Sequence, residues 1–234
     1  MLAAEQHGLS LQEIAQRLGR SSSELYRMLD VLVQRGYLVR LPDAAYALTL
    51  RLFELSHRHP PVDRLLDVSV PHMQALARAT GQANHLCVHH DARLVVLARA
   101  EPPEPMSYSV RQGAHFPFHD DRASARVISA FEADVRHAAL ARELSGGAKD
   151  AKRLRAIETR LRKIRKQGFD EGPSDTVAGV IDICFPLFDR AGVVAALNVI
   201  YLKHRDVRVT VAQARAALRE TAQTISRGLG WLQR

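Results

Sequence analysis

Two segments near the start of the chain have the apolar spacing of amphipathic helices. The first, "SLQEIAQRL" (residues 10–18), is followed by Gly19, and the second runs from Ser22 to about Gln34 and stops before Gly36. After them, "YLVR" and "AYALT" alternate apolar and polar residues around "LPDA", which predicts a small hairpin. Two helices, a glycine turn and a hairpin predict a winged helix-turn-helix over residues 1–58. The positions predicted to face inward are Leu11, Ile14, Ala15 and Leu18 in the first helix and Leu25, Met28, Leu29 and Leu32 in the second.

The rest of the chain changes from helical to strand-like patterning. The polar, proline-bearing segment "HRHPPVD" (57–63) is interpreted as a hinge, and the apolar spacing from Val62 to Ala79 predicts a linker helix assigned to residues 59–80. Beyond Gly81, two alternating pairs predict hairpins, and a helix is predicted from Val211 to Leu229. Residues 81–234 are therefore predicted to form one α+β domain with an antiparallel sheet and flanking helices. The four strand segments are "NHLCVHH", "LVVLARA", "VIDICFPLFD" and "VVAALNVIYL".

Both predicted N-terminal helices open with the same motif. Ser10 and Ser21 are each followed three residues later by a glutamate, Glu13 and Glu24, which is the spacing of a capping box. Each cap contributes about 1 kcal/mol to its helix start. A carboxylate is repelled by phosphate but favoured at a helix N-terminus, so Glu24 is interpreted as a capping residue that does not contact DNA.

With the apolar side of the second helix turned inward, its polar side is available to DNA. Arginine can pair with guanine edges or phosphates, and serine and tyrosine hydroxyls can bind either. An ordinary helical hairpin with solvated arginines stays open as an alternative. The predicted DNA contacts are Arg20, Ser22, Ser23, Tyr26, Arg27 and Arg40.

The net charge of +8 does not by itself locate a DNA surface. Residues 1–60 hold seven Arg and Lys against six Asp and Glu, whereas residues 149–166 hold nine against two. The latter segment has apolar residues at helical spacing, so its basic residues are interpreted as the solvated side of a surface helix. An acidic partner or DNA at that helix stays open as the alternative.

The composition excludes several protein classes. No apolar run reaches the ~20 residues that a membrane span requires, and the segment "MLAAEQHGLS" lacks the features of a secretory signal. Cys87 and Cys184 lie far apart without a CxxC partner, which favours reduced thiols over a disulfide or zinc site. We therefore expect a cytoplasmic protein with no membrane partner and no cofactor.

These segments together resemble the IclR family of bacterial transcriptional regulators. The resemblance runs through most of the chain and implies a winged helix-turn-helix, a linker helix and a GAF-like domain that binds a small organic effector. It also implies a homodimer, which can pair into a tetramer, on a double-stranded DNA operator. The segments that carry it are "LSLQEIAQRLGRSSSELYRMLDVLVQRGYLVR", "YALTLRLFEL", "LARATGQANHLCV", "GAHFPFH" and "DICFPLFDRAGVVAALNV".

The chain departs from the family pattern at several places. The helix before "LSLQEIA" is commonly about two turns longer in the family than "MLAAEQHG" allows, so we expect a truncated first helix. The family's usual Gly-Lys pair is Ser124 and Ala125 here. Asp182 replaces its usual cysteine, and Asn198 replaces a usual serine.

Carried over by position, the resemblance implies an effector site with His119 bracing a neighbouring loop. If Arg122 points inward it suits a carboxylate, with Asp182 holding it or binding a ligand donor; if outward, it is a surface charge. Aromatic walls are common in small-ligand pockets, so the expected ligand is a small organic acid, with an aromatic one fitting the two rings. The implied residues are Tyr108, Phe116, His119, Arg122, Ala123, Val180, Asp182, Cys184 and Asn198.

Two other classes of function are weighed beside this one. A metal-sensing regulator is suggested by eight clustered His and Asp residues, although no Cys/His box or HxxxH helix fixes a ligand set. An enzyme is disfavoured because Ser124 and Cys184 lack a motif that marks a base or nucleophile elbow, and Cys184 amid "DICFPLF" is interpreted as a buried core thiol. A small-ligand-binding protein without DNA activity also stays open. The eight residues are His85, His89, His90, Asp91, His115, His119, Asp120 and Asp121.

Overall fold

The computed structural model describes residues 1–56, 60–104, 107–147, 150–175, 177–205, 207 and 209–232. The chain divides into two compact units, Met1–Asp63 and Arg64–Arg234. The predicted boundary between residues 58 and 59, the predicted start of the linker helix and the first three residues of the predicted hinge lie outside the described residues.

The N-terminal unit is a helix-turn-helix with a two-stranded antiparallel wing, as predicted. Ile14, Leu25, Leu29, Leu38 and Tyr46 are buried in its core, so both helices pack against the wing. The elements are a 3₁₀ turn Leu2–Ala4, helices α1 (Leu11–Leu18) and α2 (Ser22–Gln34), strands β1 (Leu38–Arg40) and β2 (Tyr46–Leu48), and helix α3 (Arg51–Ser56).

Both predicted capping boxes are confirmed. Ser10 and Ser21 have extended backbones, and each hydroxyl accepts a hydrogen bond from the backbone N–H of the glutamate three residues on. The carboxylates of Glu13 and Glu24 accept from the serine N–H at 2.8 and 3.1 Å. Gly19 ends α1 in the left-handed conformation, with φ of 61°. The turn between the helices is thus fixed by local chemistry at both ends.

The prediction of the inward side was wrong at two positions. Leu18 and Met28, both placed on an apolar stripe, are 48% and 47% exposed. In α2 only Leu25 and Leu29 are buried, and they stand one turn apart along the centre of the stripe. The described part of this small unit covers the centre of the stripe and leaves Met28, at its edge, in contact with solvent.

The C-terminal unit contains one six-stranded sheet with helices on both faces, which confirms the α+β prediction. The strand order is β5-β4-β3-β8-β7-β6, and every neighbouring pair is antiparallel. The strands are β3 (Asn84–His90), β4 (Arg93–Ala100), β5 (His115–Pro117), β6 (Asp170–Pro173), β7 (Val180–Phe188) and β8 (Val193–Leu202). The helices are α4 (Pro60–Thr80, in this unit from Arg64 onward), α5 (Ala123–Phe131), α6 (Asp134–Leu144), α7 (Ala151–Gln167) and α8 (Val211–Gly228).

The two faces of this sheet belong to two apolar cores. Successive residues of a strand point to opposite faces, so Ile183 packs with α4 and α8, whereas Cys184 packs with α5 and α7. Burial of each large aliphatic side chain contributes about 1.5–3 kcal/mol, and both cores hold many. The sheet is therefore packed on both sides, against α4 and α8 on one face and against α5 and α7 on the other.

The basic segment forms helix α7, as its periodicity predicted. Ile157, Leu161 and Ile164 are buried against α5 and α6, and Gly168 ends the helix with φ of 89°. Along the part of the chain that the structure describes, no helix is both long and apolar enough to cross a membrane.

Candidate functional site

The polar side of α2 presents most of the predicted DNA contacts to solvent. Ser22 is half-buried, while the other five predicted residues are exposed. Ser21 and Glu24 are engaged with each other at the cap, and the Ser23 hydroxyl lies 3.2 Å from the Ser21 hydroxyl. The exposed residues are Arg20, Ser23, Tyr26 and Arg27 around the start of α2 and Arg40 in the wing.

Glu24 has a second contact besides its cap. Arg20 Nη1 lies 3.7 Å from Glu24 Oε1, with both side chains more than half exposed. An exposed pair of this kind adds little to stability. The Arg20 cation partly offsets the negative charge of Glu24 at this end of α2.

A cavity of about 100 Å³ lies between the sheet and the start of α5. Val180 and Asp182 reach it from the same face of β7, and Ala123 reaches it from the first turn of α5. Seven of the nine residues that the resemblance implied line this cavity: Tyr108, Phe116, Arg122, Ala123, Val180, Asp182 and Asn198.

The other two implied residues lie outside the lining. Cys184 is fully buried beneath it, since Ser124 of α5 covers its thiol at 3.8 Å and takes the place next to the cavity. His119 precedes the α5 loop: its Nδ1 accepts the backbone N–H of Asp121 at 3.4 Å, and its Nε2 lies 3.0 Å from Arg153 Nη2. His119 thus links the loop before α5 to helix α7.

Arg122 lies at the rim of the cavity. Its guanidinium carbon is 4.8 Å from the centre of the Phe116 ring, and its side chain is 28% exposed. Its Nε is 3.5 Å from Asp121 Oδ1, which is beyond a good hydrogen bond. The guanidinium therefore forms a long ion pair with Asp121, keeps donors available for an anion and lies over the Phe116 ring.

The inner end of the cavity is polar. His85 pairs with Asn198 across β3 and β8, and the Asn198 Nδ2 atom lies 3.4 Å from both His85 Nε2 and Asp182 Oδ1. Burial lowers the pKa of His85 to about 4, so its ring is neutral near pH 7. Burial also raises the pKa of the Asp182 carboxyl, against a smaller opposite effect of hydrogen bonds from Ser174 and Asn198.

A buried arginine holds the two loops that flank the cavity. Arg126, only 3% exposed, donates from Nε to Asp170 Oδ2 at 2.6 Å. From Nη1 it donates to the Asp120 carbonyl at 2.7 Å and to Asp175 Oδ2 at 2.9 Å. One side chain of α5 therefore fastens the loop before its own helix and the segment after β6, and both contribute to the lining.

Comparison with known proteins identifies the family. Residues 62–227 match the family described as "Bacterial transcriptional regulator IclR C-terminal", and residues 1–42 match the IclR helix-turn-helix domain. The chain belongs to the IclR family. It is a DNA-binding transcriptional regulator and not an enzyme.

Full-length IclR relatives support this assignment. The chain is 25% identical to the transcriptional regulator KdgR of Escherichia coli, over 97% of this chain and 88% of KdgR. It is 26% identical to the DNA-binding transcriptional repressor YiaJ of the same organism, over 96% and 82% of the two chains. A solved IclR homolog from Microbacterium hydrocarbonoxydans, complexed with 4-hydroxybenzoate, has the same fold, with a TM-score of 0.78, 23% identity and coverage of 97% and 93%.

The histidines suggested as metal ligands in this IclR protein lie apart in the structure. His85 is in the cavity, whereas His89 Nε2 is 2.5 Å from Glu143 Oε1 and its ring lies 4.3 Å from that of Phe118. His119 is beside the carboxylates of Asp120 and Asp121, each at 3.2 Å. Within the described ranges, no three His, Cys, Asp or Glu side chains are grouped so that they could hold a metal ion.

Neither thiol of this IclR protein is set up as a nucleophile. Burial raises the pKa of Cys87 to about 12 and that of Cys184 well above its ordinary value. Both side chains are buried in the core shared by α5 and α7. A thiolate is the reactive form of cysteine, so these two residues act as small apolar side chains.

Proposed function

We propose that this regulator binds an operator through α2 and the wing, and that a small organic acid bound in the cavity controls that binding. The observation that carries the proposal is the cavity itself, with apolar walls, one arginine at its rim and polar groups at its inner end. Pockets for small ligands have this composition. A relative solved with 4-hydroxybenzoate supports an acid as the ligand class.

The proposed control is a linkage between two binding events. An acid that binds one arrangement of the protein more tightly than another shifts the population toward it, and DNA affinity changes by the same coupling free energy. The cavity is bordered by the two loops that Arg126 joins, so a ligand that contacts both favours one arrangement of those loops.

The remaining parts of the proposal concern assembly and the direction of regulation. We infer a homodimer, which can pair into a tetramer, because helix-turn-helix proteins read two half-sites with two copies of the reading helix. Repression is the proposed default, as in the relative named as a repressor. We place the protein in the cytoplasm, where the bacterial chromosome lies.

The test is duplex binding in the presence and absence of small acids. An operator is selected from random duplexes, and its affinity is measured as a function of salt with benzoate, 4-hydroxybenzoate and short aliphatic acids. We expect binding that weakens steeply with salt, and at least one acid that changes operator affinity about fivefold or more. Specific duplex binding that no carboxylic acid alters, with no acid bound by calorimetry, would contradict effector control while leaving DNA binding intact.

Replacing Arg27 by alanine is expected to weaken operator binding by about 1–3 kcal/mol and to relax the base preference at one position. Arg27 is exposed on the outward side of α2, next to Tyr26. The matched control is Arg35→Ala, an exposed arginine at the opposite end of the same helix. Unchanged affinity and unchanged base preference in Arg27→Ala would show that the reading side of α2 is assigned incorrectly.

A further inference from the structure

Two buried polar atoms at the inner end of the cavity have no hydrogen-bond partner among the described residues. They are His85 Nδ1 and Asn198 Oδ1, on side chains that are 7% and 5% exposed. Both residues line the cavity and face each other across β3 and β8. A buried polar group left unpaired costs stability, so such a pair at a cavity wall indicates what is bound there.

The unpaired atoms consist of one donor and one acceptor. The Asn198 amide nitrogen donates to His85 Nε2 and to Asp182 Oδ1, which makes His85 Nε2 the bare nitrogen of a neutral ring. His85 Nδ1 then carries the proton and is a free donor, while Asn198 Oδ1 is a free acceptor. If the Asn198 amide is turned over, its oxygen accepts from His85 Nε2 and its nitrogen becomes the free donor. His85 Nδ1 is then the free acceptor, so one donor and one acceptor again remain.

Only some ligand groups satisfy such a pair. A hydroxyl both donates and accepts, so it completes both hydrogen bonds. A carboxylate only accepts and an ammonium only donates, so either leaves one buried atom unpaired. A carboxylate here would also lie beside Asp182.

The exposure of the lining residues gives the direction of the ligand. His85 and Asn198 are almost fully buried, whereas Arg122 is 28% and Tyr108 is 41% exposed. The cation of the cavity is therefore at its outer end, and the unpaired donor and acceptor are at its inner end.

We propose that His85 and Asn198 bind a hydroxyl group of the effector while Arg122 binds its carboxylate, so that the effector is a hydroxylated carboxylic acid. The inference rests on the proposed function, in which the cavity binds an organic acid. It adds the second polar group of the ligand and assigns a role to His85, which the sequence suggested only as a metal ligand.

The first experiment compares matched acids on the unmodified protein by isothermal titration calorimetry. 3-Hydroxybenzoate and 4-hydroxybenzoate are each compared with benzoate, and 3-hydroxypropionate and 4-hydroxybutyrate with propionate and butyrate. The best hydroxylated acid is expected to bind at least about tenfold more tightly than its parent, because a parent acid leaves the buried donor and acceptor unpaired. Terephthalate, with a second carboxylate in place of the hydroxyl, is expected to bind no better than benzoate.

The second experiment removes the proposed donor. In His85→Phe the ring keeps its shape and loses both nitrogens, so the ratio of affinities between the hydroxylated acid and its parent is expected to fall to about one. Circular dichroism and thermal unfolding show whether the variant is folded, and the two acids are compared on the same variant. His90→Phe, an exposed histidine on the same strand, is the control and should keep the wild-type ratio.

The possible outcomes separate this inference from the proposed function. If acids bind but the hydroxyl adds nothing in either series, the inner pair does not recognise the ligand and the present inference is wrong, whereas effector control stands. If the hydroxylated acid is preferred equally by His85→Phe, the hydroxyl is bound elsewhere and the assignment to His85 is wrong. If no acid of either series binds, the proposed effector function itself fails and the inference fails with it.

Discussion

Replacing Arg126 by leucine is expected to lower the free energy of unfolding by about 3–5 kcal/mol, the largest effect of any single substitution discussed for this protein. The change removes three hydrogen bonds and leaves Asp170, which is 5% exposed, as a buried carboxylate without its cation. The expected decrease in the melting temperature is about 10 °C for a unit of this size. Thermal and urea unfolding followed by circular dichroism measure both quantities.

Two further variants test the cause. Arg136→Leu removes an arginine of the neighbouring helix α6 that is itself 64% exposed and lies 3.7 Å from Glu132 Oε2, beyond a good hydrogen bond, so it should cost well under 1 kcal/mol. Combining Arg126→Leu with Asp170→Leu should recover part of the loss, because no charge is then buried without a partner. If the double variant is less stable than Arg126→Leu alone, the loss comes from packing around α5 and not from the buried carboxylate.

Local sequence patterns were sufficient to predict where the helices of the N-terminal unit begin. Its helix starts are set by residues within one turn, so Ser10 with Glu13 and Ser21 with Glu24 could be identified from their spacing and are confirmed. The exposure of Met28 could not be predicted in this way, because it depends on which neighbouring elements cover the edge of the apolar stripe. That information is tertiary and is absent from the periodicity of a single helix.

The centre of the C-terminal unit was harder to predict. Residues 123–130 of α5 are all buried, including the polar Ser124, Arg126 and Ser129, and burial on every side of a helix cannot be inferred from the helix sequence alone. The short strands β5 and β6 are three and four residues long, which is too short for alternation to be recognised. By contrast, the spacing of apolar residues predicted the long strands β7 and β8 and the amphipathic helices α7 and α8.

The candidate effector site combines family resemblance with contacts that only the fold reveals. The resemblance pointed to most of the lining, but His85, suggested only as a metal ligand, lies in the cavity, and Cys184, implied as lining, is the buried core thiol that its apolar neighbours indicated. His85 lies on the same face of β3 as Cys87, and the neighbouring apolar Leu86 and Cys87 are the signal that places this part of the strand inside the unit. Its pairing with Asn198 joins strands more than a hundred residues apart in the chain, and no local pattern records such a contact.

The same buried histidine predicts how stability depends on pH. Burial lowers the pKa of His85 from 6.5 to about 4, whereas in the unfolded chain it returns to about 6.5. Between these values the unfolded state takes up a proton that the folded state does not, so stability is lost as pH falls from about 6.5 to about 4. The total contribution is roughly 3 kcal/mol, and it is fully present above pH 7.

The comparison of wild type with His85→Phe isolates this effect. The other charged groups that line the cavity are Asp182, which His85 contacts through Asn198, and Asp121 and Arg122 nearer the rim, and all of them are retained in the variant. The raised pKa of Asp182 acts in the opposite direction, because the folded state takes up a proton on Asp182 first as pH falls. This contribution is present in both proteins and largely cancels in the difference between them.

Urea unfolding from pH 8 to 4.5 should therefore show the unfolding free energy of the variant rising relative to wild type by about 1.4 kcal/mol per pH unit below pH 6.5. His90→Phe should follow the wild-type curve, since an exposed ring keeps its hydration on folding. Parallel curves for wild type and His85→Phe across this range would mean that His85 takes up its proton in the folded state, and the ring could not then serve as the neutral donor at the inner end of the cavity.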